Sequence, residues 1–301
     1  MRIYYCDHYC FPLPAGHKFP LAKYRLIRER LAEEGGFDFH KAPLATEQEI
    51  ALTHQPAYVR QFLEGTLPPW QMRRIGFPWS EALVRRTLAS VGATLAAARH
   101  ALHSHAAGCL SGGTHHAHYA EGAGFCVFND VAVAINRLRG AGLIRRAAII
   151  DLDVHQGDGT AALFRHVPEV FTFSMHCSAN FPFRKQESDL DISLPPGIGG
   201  PEFLALLQSA LPQVLETKPE IVFYLAGVDP LNTDRLGRLA LTMEDLRRRD
   251  WLVLSTIMDS EIPLVITLGG GYSEPMQIVV EAHANTFLMA RDLLQRKTPA
   301  L

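Results

Sequence analysis

Ile149-Ile150-Asp151-Leu152-Asp153-Val154-His155-Gln156-Gly157-Asp158-Gly159-Thr160 is an apolar run that breaks into carboxylates, a histidine and glycines. The apolar, β-branched start reads as a buried strand. Alternate residues of a strand share a face, so Asp151, Asp153 and His155 point the same way off its end. Such groups crowded at a buried strand end are costly without a cation to neutralise them. A polar turn after a strand explains one Asp-Gly step, but it does not explain D-x-D-x-H-x-x-D.

Outward from this stretch, short apolar runs recur at Ala147–Leu152, Val170–Met175, Ile221–Ala226 and Leu264–Leu268. Helical periodicity fills the gaps at Asp130–Arg139, Gly159–His166, Pro201–Thr217 and Thr242–Met258, and a last helix follows Tyr272. Strands alternating with helices predict a mainly parallel sheet covered on both faces. The expected fold class is therefore α/β, a single-domain three-layer α/β/α architecture over residues 1–301. The first third reads as mainly helical. Leu21–Glu34 has helical spacing, Thr46 with Glu49 forms a capping box, Pro56 suits a first helical turn, and Ser80 caps a long helix to about His105. Trp70–Trp79 reads as a rim loop. In parallel sheets the ligand site lies beyond the carboxyl ends of the strands.

Three further elements end at those positions. Asp229 follows the apolar run Tyr224-Leu225-Ala226 and precedes Pro230. With Asp153 and His155 it supplies three protein ligands and leaves a coordination position for water and substrate, as a catalytic zinc site requires. Alone, an Asp before Pro is more often a turn residue. Gly112-Gly113-Thr114-His115-His116 places adjacent imidazoles on a glycine loop, suited to proton transfer near neutral pH. Asp151 and Asp158 can each orient one imidazole through its second nitrogen. Gly269-Gly270-Gly271-Tyr272 brings backbone close to a ligand and offers a hydroxyl to a developing oxyanion. The glycine run lacks the spacing of a nucleotide loop.

Bulk properties exclude several function classes. The 301 residues carry 29 Lys and Arg against 31 Asp and Glu, a formal charge of −2. Nothing in that balance draws the chain to nucleic acid, so no direct nucleic-acid binding is expected. Hydrophobic residues are 48% of the chain, enough for one large core. No run approaches a membrane span, and MRIYYCDHYC lacks the features of a signal peptide. The five cysteines Cys6, Cys10, Cys109, Cys126 and Cys177 are odd in number and form no zinc-type pair. A cytoplasmic, reducing setting with free thiols is expected. Oligomeric state is not legible.

Taken together, GGTHHA, GFCVFND, IDLDVHQGDGT, AGVDP and GGGY resemble, in order and separation, the histone deacetylase family of the arginase–deacetylase fold. The resemblance implies a metal-dependent amidohydrolase that removes an acetyl or longer acyl group from an acylated lysine. It implies Asp153, His155 and Asp229 as zinc ligands, with ferrous iron the alternative ion. It makes His115 and His116 the histidine pair, Asp151 behind the first and Asp158 behind the second, and Tyr272 the residue that polarises the substrate carbonyl. Phe125 and Phe181 match the walls of the acyl-lysine tunnel, and Gly271 the backbone beside the substrate near its mouth. A structural potassium ion is implied at Asp151, Asp153, His155, Ser174 and Met175, partly through backbone oxygens. Gln156 departs from many members, which carry a second histidine there. With the short chain and the segment Asp229–Gly237 it looks most similar to the class IV branch, which is associated with longer acyl chains.

Three other functions compete: an acetylpolyamine deacetylase, a dimanganese ureohydrolase of the arginase type, and an inert module that binds acylated tails. The histidine pair and Tyr272 argue against the ureohydrolase. The complete ligand set argues against the inert module.

Overall fold

The computed structural model describes residues 1–297. A parallel eight-stranded sheet forms its centre, in the order β2-β1-β3-β8-β7-β4-β5-β6. The strands are β1 (Arg2–Tyr5), β2 (Asp38–Lys41), β3 (Ala106–Cys109), β4 (Ala147–Asp151), β5 (Val170–Cys177), β6 (Leu190–Leu194), β7 (Val222–Leu225) and β8 (Leu264–Thr267). All seven pairings are parallel. The four strands read from apolar runs are β4, β5, β7 and β8, four of the five whose residues are all or nearly all buried. Both of their faces are covered, so the sequence shows continuous hydrophobicity.

The strands missed are short or half-exposed. β2 lies at one edge and β6 at the other, where one side lacks a partner strand, and the four-residue β1 is mostly half-exposed beside β2. β3, Ala-Ala-Gly-Cys, is wholly buried, but its small side chains give no strand signature.

Helices close both faces. On one side lie α1 (Lys23–Glu34), α8 (Gly200–Glu216), α9 (Met243–Asp259) and α10 (Met276–Lys297), packing Ile27, Phe203, Leu254 and Phe287 onto the sheet. On the other lie α3 (Pro56–Glu64), α5 (Glu81–Ser104), α6 (Asp130–Gly140) and α7 (Asp158–Phe164), contributing Phe62, Leu95, Ile135 and Phe164. Two short helices, α2 (Glu47–Ile50) and α4 (Pro69–Ile75), complete the set. Helix starts follow local chemistry. Ser80 accepts from Leu83 N–H, while Thr46 and Thr242 form capping boxes with Glu49 and Asp245. Trp70–Trp79, expected as a loop, is mostly α4: Pro69 fits a first helical turn and Gly76 ends it in the left-handed conformation.

From β4 the chain runs outward through β5 and β6, then returns to the other side of β4 as β7 and β8. That reversal opens a crevice over the carboxyl ends of β4, β7 and β8.

Candidate active site

The crevice is a cavity of about 350 Å³. At its floor Asp153 and His155 follow β4 and Asp229 follows β7, and one ligand atom from each lies within 4.8 Å of the others. His155 Nδ1 stands 2.9 Å from Asp153 Oδ1 and 3.2 Å from Asp229 Oδ2. Both carboxylates are buried, and no hydrogen-bond donor is directed at Asp229 Oδ2. Crowded oxygens of this kind want a cation. The His155 imidazole is drawn toward its charged form by the same oxygens. Burial disfavours its charge, but the two carboxylates outweigh burial and raise His155 to about 10. Burial and the neighbouring Asp153 push Asp229 up to about 7. A divalent ion fits this donor set and would displace the imidazolium proton.

The glycine run after β8 lets backbone reach these carboxylates. Gly270 N–H donates to Asp153 Oδ2 at 2.6 Å, and a Cβ on Gly270 would fall inside the Asp229 carboxylate. Gly269 and Gly270 line the cavity. Gly271, expected beside the substrate, is not among the residues lining the cavity, and at φ +151° a Cβ added to it would meet Val228 and Val279.

Loop residues after β3 bring His115 and His116 over the floor, their rings 4.1 Å apart. His115 Nδ1 donates to Asp151 Oδ2 at 2.7 Å, and His116 Nδ1 donates to Asp158 Oδ1 at 2.6 Å. Carboxylates only accept, so each bond fixes the tautomer and frees Nε2. The pair is electrostatically split. Burial disfavours charge on His115, yet Asp151 and Asp153 lift it to about 9. Burial and the charge of His115 push His116 down to about 4. The carboxylates thus draw His115 toward its charged form while burial and His115 hold His116 toward its neutral form.

Tyr272 lines the cavity. Burial and the carboxylates Asp229 and Asp153 hold its hydroxyl well above the usual phenol range, so it remains a donor. Its backbone is clamped by the segment 229–237: its N–H donates to Asp234 Oδ2 at 2.6 Å, and its carbonyl accepts from Arg235 Nε at 3.0 Å. Phe181 packs edge-on against His116 with ring centroids 4.9 Å apart, and Phe125 lies 6.4 Å from the Tyr272 ring. Asp151 and Ser174 are register partners on β4 and β5, with Met175 next along β5.

Sequence reading missed several contributors. Lys23 is fully buried on α1, and its ammonium donates to Gly269 O at 2.8 Å. Asn180 Nδ2 lies 3.3 Å from His155 Nε2 and donates to Leu236 O at 2.7 Å. Arg249 of α9, fully buried, donates to the carbonyls of Gly227 at 2.5 Å and Leu152 at 3.5 Å, just ahead of Asp229 and Asp153. Only the triple run Arg247-Arg248-Arg249 hinted at it, and that pattern ordinarily marks a solvated face. Gln156 exchanges bonds with Gln186 backbone and reaches Asp191 Oδ1 at 2.9 Å, tying the β4 loop to the chain before β6.

Parallel strands whose tips gather two carboxylates and an imidazole beneath carboxylate-oriented histidines form a candidate metal site on an α/β fold. The histone deacetylase domain model matches residues 17–287, and the chain belongs to that family of amide hydrolases. It is 44% identical to an uncharacterised protein of Picosynechococcus sp., covering 97% of this chain and 98% of that one. It is 33% identical to histone deacetylase 2 of Arabidopsis thaliana, over 63% of this chain and 50% of the plant protein. It is 28% identical to the acetoin utilization protein AcuC of Staphylococcus xylosus, over 90% of this chain and 77% of that one.

Proposed function

We propose that the chain is a single-domain, zinc-dependent deacylase that cleaves the amide of an Nε-acylated lysine. The observation that carries this is the gathering of Asp153, His155 and Asp229 donor atoms within 4.8 Å, facing two imidazoles whose outer nitrogens are fixed by carboxylates. Two carboxylates and one imidazole suit zinc, with ferrous iron as the alternative. A divalent ion held there supplies Lewis acidity to the amide carbonyl and to the attacking water. His116, the neutral ring, takes the water's proton at Nε2 and returns it to the leaving amine. His115, drawn toward its charged form by Asp151, stabilises the negative charge that develops. The Tyr272 hydroxyl donates to the carbonyl oxygen. Phe125 and Phe181 flank the lysine stem, and a potassium ion at Asp151, Asp153, His155, Ser174 and Met175 would stiffen the strand ends.

Two observations favour one ion over the paired manganese of a ureohydrolase. Among the described residues, Asp153, His155 and Asp229 are the one grouping of three or more metal-type donors. Asp151 and Asp158, the other candidates for such a cluster, are taken by the histidine pair.

Charge favours a lysine substrate over a polyamine. The charged groups lining the cavity are Lys23, Arg86 and Arg238 and, besides the paired histidines and His155, the single carboxylate Asp153. Nothing there would pair with the second ammonium of an acylpolyamine. A cytoplasmic location agrees with the five free cysteines, and no helix is long and apolar enough to cross a membrane.

The test is a hydrolysis assay with zinc-loaded protein on acetyl- and longer acyl-lysine peptides and on acetylspermidine. Peptide cleavage should be abolished by a chelator, should exceed acetylspermidine cleavage at least tenfold, and should fall roughly 10²–10³-fold in Tyr272→Phe with folding intact. Cleavage that survives chelation, or a Tyr272→Phe variant at wild-type rate, refutes the reading.

A further inference from the structure

A third histidine stands beside the pair. We propose that His118 is a positioning residue for His116, acting through the Asp158 carboxylate that the two imidazoles share. This rests on the hydrolytic reading above, in which His116 is the base.

Asp158 Oδ1 accepts from His116 Nδ1 at 2.6 Å, and Oδ2 accepts from His118 Nε2 at 3.0 Å. Both oxygens are thus committed, and rotating the carboxylate to weaken one bond weakens the other. The carboxylate is also held from below, because Asp158 opens α7. The first turn of α7 is tied back to the histidine loop by Thr160 N–H donating to His115 O at 3.1 Å. His118 is anchored at both ends of its own peptide unit. Its N–H donates to Glu121 O at 2.8 Å, and its carbonyl accepts from His54 Nδ1 at 2.8 Å. The ring therefore has little freedom except to meet Asp158.

The arrangement differs from an ordinary His–Asp pair in one respect that matters for acid–base work. A lone carboxylate directs its full charge at one imidazole. Here a second N–H occupies the other oxygen, which fixes the rotation of the Asp158 carboxylate and with it the tilt of the His116 ring. His118 is also the part of the trio that reaches solvent: its side chain is 18% exposed, against 5% for His116 and 7% for Asp158. The other charged or titratable groups around the trio are His115 and His155, whose rings contact His116, His54, Glu121 paired with Arg74 at 2.6 Å, and Lys185, whose ammonium is held by the carbonyls of Asn180 and Pro182. None of these donates to Asp158, so His118 has no substitute.

The experiment compares wild type with His118→Phe and His118→Gln. A glutamine side chain can present an N–H near the position of Nε2, whereas phenylalanine keeps the ring and loses the donor. With a metal-loaded enzyme and an acetyl-lysine peptide, His118→Phe should lower kcat about tenfold with KM little changed. His118→Gln should restore kcat. Independently of activity, proton NMR should show the Nδ1–H of His116 as a downfield, slowly exchanging signal in wild type and His118→Gln that broadens in His118→Phe. Unchanged kcat and signal in His118→Phe overturn the proposal. So does a loss that tracks a fall in melting temperature and is not recovered by Gln, which would make His118 a loop staple only. If wild type cleaves no acyl amide yet the NMR signal responds as stated, the hydrolytic reading falls and the shared-carboxylate geometry stands.

Discussion

His54 is enclosed completely beneath the loop that carries the paired imidazoles. Its Nδ1–H donates to His118 O at 2.8 Å, and its Nε2 accepts from Asn129 N–H at 2.9 Å. That second bond requires an unprotonated Nε2, because a proton there would face another N–H. Burial accordingly pushes His54 down to about 4, from an ordinary 6.5. The unfolded chain binds this proton below pH 6.5, and the folded chain does so only below about 4. Stability is therefore complete above pH 6.5 and declines as pH falls toward 4, by up to roughly 3 kcal/mol from this group. Urea unfolding between pH 7 and pH 4 checks this. His54→Gln, which cannot titrate, should flatten that part of the curve; an equally steep decline in the variant would remove His54 as the cause. At this scale the sequence marked Asp151, Asp153, His155 and Asp229 by their strand-end positions, but it could not mark His54 or Asn180. A lone polar residue carries no period, and its role depends on which backbone groups come to face it.

At the scale of elements, the tips of β4 and β7 need a common brace. Arg249 supplies one from α9, gripping the carbonyls of both tips while its Nε donates to Asp250 Oδ1 at 2.9 Å. Asp250 accepts in turn from the Tyr224 hydroxyl on β7 at 2.5 Å and from Thr286 on α10 at 2.6 Å. Helix, two strands and a second helix thus meet in one buried polar network. Removing one member leaves charged or polar groups buried without partners. Arg249→Met should cost roughly 3–5 kcal/mol in denaturant unfolding. A loss under about 1 kcal/mol would mean that water or a neighbour replaces the guanidinium. Helices and central strands were legible because caps and continuous apolar runs are local. The edge strands and the small-residue strand β3 were not, because their pairing partners lie elsewhere in the chain.

Across the whole molecule, ligands from β4 and β7 and the carboxylate-bound histidines from the β3 loop converge only in the folded state. An ion that binds them should bind the unfolded chain weakly and so stabilise the fold. Zinc at about 100 times its Kd should add roughly 2.7 kcal/mol, read as a higher melting temperature that a chelator reverses. Asp153→Ala and Asp229→Ala should abolish the shift. A zinc-induced rise that persists in both variants would place the ion elsewhere.

The sequence by itself determined the sheet's parallel character, most helix starts and the five motifs, because periodicity, capping and strand-end polarity act between near neighbours. Tertiary structure alone decided that Gly269 and Gly270, rather than Gly271, face the cavity, that Arg249 braces two strands, and that Asp158 serves two histidines. Those outcomes depend on which groups distant segments bring within hydrogen-bond reach, a distance that sequence order does not encode.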